Sequence, residues 1–264
     1  MCTLEPFFLP CKKDAPTAQA KQRSVSLERN SQLDIFSNTT ILTFMLWLQP
    51  GQRPLFPDAR KMVPDETGLV ALGGDIQPDA LIEAYSKGVF PWDGNFPYPW
   101  YSPAWRCLLR PGDFHCSKSL ARLDARRRYH IVFDEYFREI MQACMNIKRR
   151  GQSGSWITQE MIVSYGELFD AGYGFCVGVL NEKGHLVGGL YGLRLGKAYF
   201  GESMFSLEPN TSKLALLHLC RELVKKNVPW IDCQQDTPHL RLLGAHLVTR
   251  QQYLELLEQT VGKW

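Results

Sequence analysis

From residue 68 onward, apolar positions recur at spacings that change along the chain, and each change marks an element. Gly68-Leu69-Val70-Ala71-Leu72-Gly73-Gly74-Asp75 is a short apolar run closed by a glycine turn. The turn lacks the Lys and Ser/Thr of a phosphate-binding loop, so it reads as a tight turn only. A helix follows, with Pro78 in its first turn, Leu81, Ile82 and Tyr85 as an apolar stripe, and Gly88 at its end. Between Phe90 and Pro103, prolines and aromatics break every period and predict a loop. Asp134 is the expected cap of a helix that turns Phe137, Ile140, Met141, Cys144 and Ile147 inward. Thr158 is the expected cap of the next, with Met161, Ile162, Tyr165, Leu168 and Phe169 inward and Gly172 closing it. The pattern then turns strand-like. Residues 174–180, 185–195 and 198–205 predict three strands joined by short Gly-containing turns, which favour antiparallel hairpins. Asn210-Thr211-Ser212 starts a helix carrying Leu214, Leu217, Cys220, Leu223 and Val224, with Lys225 and Lys226 at its favourable C-terminal end. A strand over 228–234 and a helix over 250–259 complete the pattern.

These elements predict an α+β chain: a curled mixed sheet with helices on both sides, behind a small N-terminal α+β domain. The expected divisions are a disordered extension over 1–44, the small domain over 45–110 and the larger domain over 111–264. Lys, Ser, Gln and Asn dominate residues 12–40 without an apolar period, which is the basis for disorder. Met45-Leu46-Trp47-Leu48 reads as a first strand and as the start of the working chain. The apolar run over 41–48 is too short to span a bilayer and too late for a secretory signal.

At 264 residues and 45% apolar, the chain can bury a sizeable core. Its eight cysteines are scattered with no C-x-x-C pair, which fits reduced thiols better than a disulfide framework or a zinc site. The net charge of +3 alone does not imply nucleic acid. Its distribution is more telling. Lys118, Arg122, Arg126, Arg127 and Arg128 form one basic cluster, and Lys148, Arg149 and Arg150 another. Such patches suit phosphate backbones, and equally a solvated face.

The candidate chemistry lies in Gly201-Glu202-Ser203-Met204-Phe205-Ser206 and Ile231-Asp232-Cys233-Gln234. Strand alternation places Asp232 and Gln234 on one face and Cys233 on the other. The functional reading is a pair in which Asp232 accepts the Gln234 side-chain N–H, so that the amide oxygen faces an attacking amine. A solvated strand end is the plain alternative. Glu202, enclosed by apolar sequence, needs a partner if buried: a substrate ammonium, or Lys213 or Arg221. Cys233 points away from Asp232 and reads as a small hydrophobe rather than a nucleophile beside His239. Trp92 and Trp156 sit in loops, placed either to stack on nucleobases or to pack between domains. Trp100, Tyr101 and Trp105 read as core or interface.

Seven segments together resemble the leucyl/phenylalanyl-tRNA–protein transferase family over about residues 56–253. They are the 68–75 run, Lys87-Gly88-Val89-Phe90-Pro91-Trp92, Trp100-Tyr101-Ser102-Pro103, Ser155-Trp156-Ile157-Thr158, Leu186-Val187-Gly188-Gly189-Leu190-Tyr191-Gly192 and the two segments of the preceding paragraph. The resemblance implies an acetyltransferase-like catalytic domain of the acyl-CoA N-acyltransferase type, working without acyl-CoA, other cofactor or metal. It implies a cytoplasmic, monomeric enzyme moving Leu or Phe from Leu-tRNA or Phe-tRNA to the α-amine of a protein with N-terminal Arg or Lys, creating an N-degron. By matching motifs, Asp232, Gln234 and Glu202 are catalytic. Trp92 and Trp156 hold the terminal adenosine, and Leu190, Met204 and Phe205 line the side-chain pocket. Arg126, Arg127 and Arg128 fall where the family contacts the acceptor stem.

The chain departs from the pattern twice. Phe175-Cys176-Val177-Gly178 replaces the family's His-Ser-x-Glu, and Leu242 replaces a Ser before Leu-Gly-Ala, although His239 is kept. A missing carboxylate bears on the choice of a basic acceptor. The alternatives are a tRNA-binding relative that takes an acidic N-terminus or one that has lost catalysis. No Gln/Arg-x-x-Gly-x-Gly/Ala turn for an acyl-CoA pyrophosphate is found.

Overall fold

The computed structural model describes residues 46–49, 51, 56, 58–61, 66–147 and 155–261. The expected extension over 1–44, the start at Met45 and the cluster Lys148, Arg149 and Arg150 lie outside the described residues.

The first elements are β1 (Leu46–Leu48), β2 (Leu69–Gly73), α1 (Pro78–Ser86), β3 (Phe90–Pro91) and β4 (Pro99–Tyr101). They form a four-stranded sheet of order β1-β2-β4-β3 with α1 beside it. Gly73 and Gly74 take φ of 86° and 70°, the left-handed turn the glycine run foretold. The supposed loop over 90–103 therefore contains two short strands. Trp100 on β4 is fully buried and donates its indole N–H to the Gly73 carbonyl at 2.9 Å. Trp105 is 58% exposed, neither core nor an interface among the described residues.

The larger sheet takes β5 (Trp105–Leu109), β6 (His130–Phe133), β7 (Gly174–Leu180), β8 (Leu186–Leu195), β9 (Ala198–Ser206), β10 (Ile231–Asp232) and β11 (His246–Thr249). Its order is β11-β5-β10-β9-β8-β7-β6. The helices are α2 (Lys118–Ala125), α3 (Phe137–Asn146), α4 (Gln159–Asp170), α5 (Thr211–Lys225), α6 (Pro238–Leu242) and α7 (Arg250–Val261). The three predicted hairpin strands are β7, β8 and β9, each antiparallel to the next. β10 runs parallel to β9 and antiparallel to β5, so the sheet is mixed. β5 precedes residue 110, so the chain enters the larger sheet ahead of the expected boundary.

Two apolar cores cover the sheet's two faces. Residues of α1, α3, α4, α7 and the small sheet pack on one; α2, α5 and α6 pack on the other. The Gly-Gly motif on β8 explains how closely α5 sits. A Cβ on Gly188 would lie 2.3 Å from Thr211 Oγ1, the hydroxyl that donates to the Val187 carbonyl. Thr158 accepts the Met161 N–H and caps α4, as its position predicted. Asp134 does not cap α3: a left-handed Tyr136 precedes that helix, and Asp134 accepts the Cys176 N–H instead. Val224 is exposed rather than inward.

Candidate active site

The strand predicted over 228–234 shortens to two residues, Ile231–Asp232, and beyond it Gln234 turns left-handed at φ 54°. Alternation therefore does not govern residues 232–234. Asp232 lies beside Phe200 of the parallel strand β9, which sets the turn after β10 against Gly201 and Glu202. Opposite Tyr191 and Gly192, the β8–β9 register shifts and leaves Glu202 as the extra residue of a bulge. Its carboxylate reaches the face covered by α1 and α4, where the Tyr85 hydroxyl donates to Oε1 at 2.7 Å. Gln234 Nε2 donates to the same oxygen at 3.3 Å, and Tyr165 meets Tyr85 hydroxyl to hydroxyl at 2.9 Å. Asp232, Gln234 and Glu202 are thus brought together, all nearly inaccessible to solvent.

The Asp232–Gln234 contact differs from the expected one. Asp232 Oδ1 accepts the Gln234 backbone N–H at 2.8 Å, not the side-chain amide. The Gln234 carboxamide instead spans the site, with Nε2 on Glu202 and Oε1 buried without a partner among the described residues. A buried, unfilled acceptor costs free energy until something donates to it.

The charges are arranged unequally. Asp232 forms a buried ion pair with Arg106, Nη2 to Oδ2 at 2.7 Å, and also accepts from the Tyr253 hydroxyl at 2.8 Å. Burial works against the Arg106 charge, but the Asp232 carboxylate outweighs it and raises the guanidinium above its ordinary value. Among the described residues Glu202 has no ion-pair partner; Arg221 pairs with Asp124. Burial pushes the Glu202 carboxyl up to about 8, only partly offset by the Tyr85 hydrogen bond. Burial and the Glu202 charge likewise raise Tyr85 and Tyr165 well above the ordinary phenol value. Cys233 is fully buried with its thiol raised well above normal by burial, which is unsuited to a nucleophile. His239 is pushed down to about 4 by burial and by Lys213.

The remaining candidates are spread around this centre. The loops of Trp92 and Trp156 are joined by a Gly94 N–H to Trp156 carbonyl bond of 2.9 Å. Trp92 is half-buried against Tyr101, whereas Trp156 is 7% exposed and part of the core. Leu190 and Met204 are cross-strand partners in the α5-side core, while Phe205 belongs to the opposite core, so the three do not share one face. Lys118 and Arg122 lie exposed on α2, and Arg126, Arg127 and Arg128 lie exposed just after it. Arg128 pairs loosely with Glu182 at 3.5 Å. Arg127 also lines a cavity between α2 and α5 with Asp124, His218 and Arg221.

Sequence reasoning missed Arg106, Tyr253, Tyr85 and Tyr165. Arg106 was detectable as a lone charge inside the apolar run Trp105-Arg106-Cys107-Leu108-Leu109. The tyrosines sat on apolar stripes or a helix face, where nothing in the sequence reveals the direction of a hydroxyl.

Comparison with known proteins bears on the family of the chain. The family model described as leucyl/phenylalanyl-tRNA protein transferase matches residues 108–258, and that of its N-terminal domain matches residues 74–104. The leucyl/phenylalanyl-tRNA–protein transferase of Maridesulfovibrio salexigens is 41% identical over 79% of this chain and 86% of its own length. That of Lawsonia intracellularis is 42% identical over 73% and 84%. Among solved structures, FemX aligns over 69% of this chain and 71% of its own at 12% identity and a TM-score of 0.41. A GCN5-related N-acetyltransferase from Kribbella flavida aligns over 67% and 62% at 10% identity and a TM-score of 0.32. With half the chain matched by the family model and relatives this similar along most of its length, the protein belongs to the leucyl/phenylalanyl-tRNA protein transferase family.

Proposed function

We propose that this protein moves Leu or Phe from Leu-tRNA or Phe-tRNA to the α-amine of a protein beginning with Arg or Lys, marking it as an N-degron in the cytoplasm. The observation that carries the reading is the pairing of an unfilled acceptor, Gln234 Oε1, with a carboxyl at about 8, Glu202, in one buried cluster. Burial raises Glu202 toward the range in which a free α-amine titrates, so the ionised form of Glu202, the minor one below about pH 8, can take a proton from the incoming ammonium. The amine then donates to Gln234 Oε1 and is held for attack on the ester carbonyl, where positioning supplies most of the advantage. As the peptide bond forms, the ester C–O bond breaks and the second amine proton goes to the departing 3′-oxygen. Glu202 returns the first to water. The ester is already activated, so no enzyme nucleophile is needed.

Asp232 is occupied by Arg106, Tyr253 and the Gln234 N–H, which suits an orienting role rather than proton transfer. Trp92 and Trp156 are assigned to the terminal adenosine, the cross-strand pair Leu190 and Met204 to the aminoacyl side chain, with Phe205 turned to the opposite core, and Lys118, Arg122, Arg126, Arg127 and Arg128 to the tRNA backbone. The position of the family's missing acid, Gly178, lies in register with Gly189 and, through it, Phe205. It is not in line with Glu202. The test is transfer of radiolabelled Leu or Phe from tRNA to peptides beginning with Arg, Lys, Asp or Glu. Label entering only the Arg and Lys peptides supports the reading. Label entering acidic peptides overturns the acceptor assignment, and tRNA binding without transfer to any peptide overturns the catalytic one.

A further inference from the structure

Gln234 is held in a backbone conformation that L-residues avoid, at φ 54°, and something must keep it there. The bond from its N–H to Asp232 Oδ1 closes that turn. Oδ1 can serve it only while the carboxylate keeps one orientation. Arg106 fixes that orientation: Nε donates to Oδ1 at 2.9 Å and to Oδ2 at 3.0 Å, and Nη2 donates to Oδ2 at 2.7 Å. A fork on both oxygens restrains rotation in a way a point charge does not.

The guanidinium is itself immobilised. It is 1% exposed and lies 4.4 Å from the Phe90 ring centroid and 4.5 Å from that of Tyr253. Nη1 reaches the Gly88 carbonyl at 3.4 Å. The strand pairing brings it beside the turn: the Cys107 N–H bonds the Gln234 carbonyl, and the Cys233 N–H bonds the Cys107 carbonyl. A chain of fixed contacts therefore runs from the small sheet and α7, through Arg106 and Asp232, to the Gln234 turn.

We propose that Arg106 is a positioning residue for aminoacyl transfer: its fork on Asp232 holds the left-handed Gln234 turn that aims the free carboxamide oxygen at the acceptor amine. This rests on the transfer reaction proposed above.

The test compares the wild-type chain with Arg106→Lys, Asp232→Asn and the double variant, measuring kcat, KM for aminoacyl-tRNA and thermal unfolding. Arg106→Lys keeps a cation and loses the fork. Its kcat is expected to fall about a hundredfold, the scale of a small misplacement of a reacting group, with KM within about twofold in the same comparison. Because Arg106 acts through Asp232, adding Arg106→Lys to Asp232→Asn should lower kcat little further. Normal kcat in a folded Arg106→Lys chain overturns the proposal, as do losses that simply add. Should Arg106→Lys fail to fold, Tyr253→Phe decides: it removes one bond to Oδ2 and keeps the ring over the guanidinium. A lower kcat at unchanged KM and melting temperature supports the proposal, and unchanged kcat overturns it. A wild-type chain that transfers nothing would instead defeat the reaction on which the proposal rests.

Discussion

At the scale of single residues, one buried cation stands beside two buried carboxylates, and it is committed to Asp232. Glu202 is left with neutral donors and rises to about 8. Between the ordinary carboxylate range and pH 8, the folded chain holds a proton that the unfolded chain has released. Stability therefore falls as pH rises through that window. Glu202→Gln removes the titration, so the melting temperature of the variant relative to wild type should climb steadily from pH 5 to pH 8. Parallel melting curves would show that burial does not perturb this carboxyl. In the transfer assay the same variant is expected to lose roughly a hundredfold in kcat, the range for a positioned proton-transfer group. Both carboxylates were legible as candidates, because acids in apolar strands need partners. Which of them received the cation was not, since Arg106 lies 126 positions from Asp232 in sequence.

At the scale of elements, helices with a cap and a stripe were read well, and strand ends were not. Thr158 caps α4 as its spacing announced, whereas Asp134 was claimed by β7 through the Cys176 N–H. Periodicity gave β7, β8 and β9 but could not give the bulge at Glu202, which depends on cross-strand register. The acid that the resemblance led one to expect at Gly178 on β7 would find no room there. A Cβ on Gly178 would lie 2.8 Å from a Val132 methyl and 3.2 Å from Leu186 Cδ1, so β6 and β8 have filled the space. Gly178→Glu should therefore cost about 3 kcal/mol in a denaturation experiment, the scale of an uncompensated buried charge. Adding Val132→Ala should recover part of it. A neutral Gly178→Glu would mean that the strand can still accommodate the family's acid.

At the scale of the whole molecule, the basic cluster on and after α2 is exposed, and α2 packs on the α5 side of the sheet, whereas the Glu202 carboxylate faces α1 and α4. The proposed role of this cluster is a grip on the tRNA backbone. Arg126→Ala is expected to weaken tRNA binding and to lower the salt slope of log Kd by about one, with kcat at saturating tRNA little changed. An unchanged slope would remove Arg126 from the contact. The sequence by itself determined the local matters: which segments are helical or extended, where turns fall, and which polar groups are out of place in apolar runs. These depend on residue spacing and backbone propensity, which are written along the chain. Tertiary structure alone decided how the site is wired. It folded Asp232 onto Arg106, set Tyr85 and Tyr165 against Glu202, turned Phe205 away from Leu190 and Met204, and left Gln234 Oε1 unfilled. Those outcomes rest on contacts between residues distant in sequence and on burial, and no local pattern encodes either.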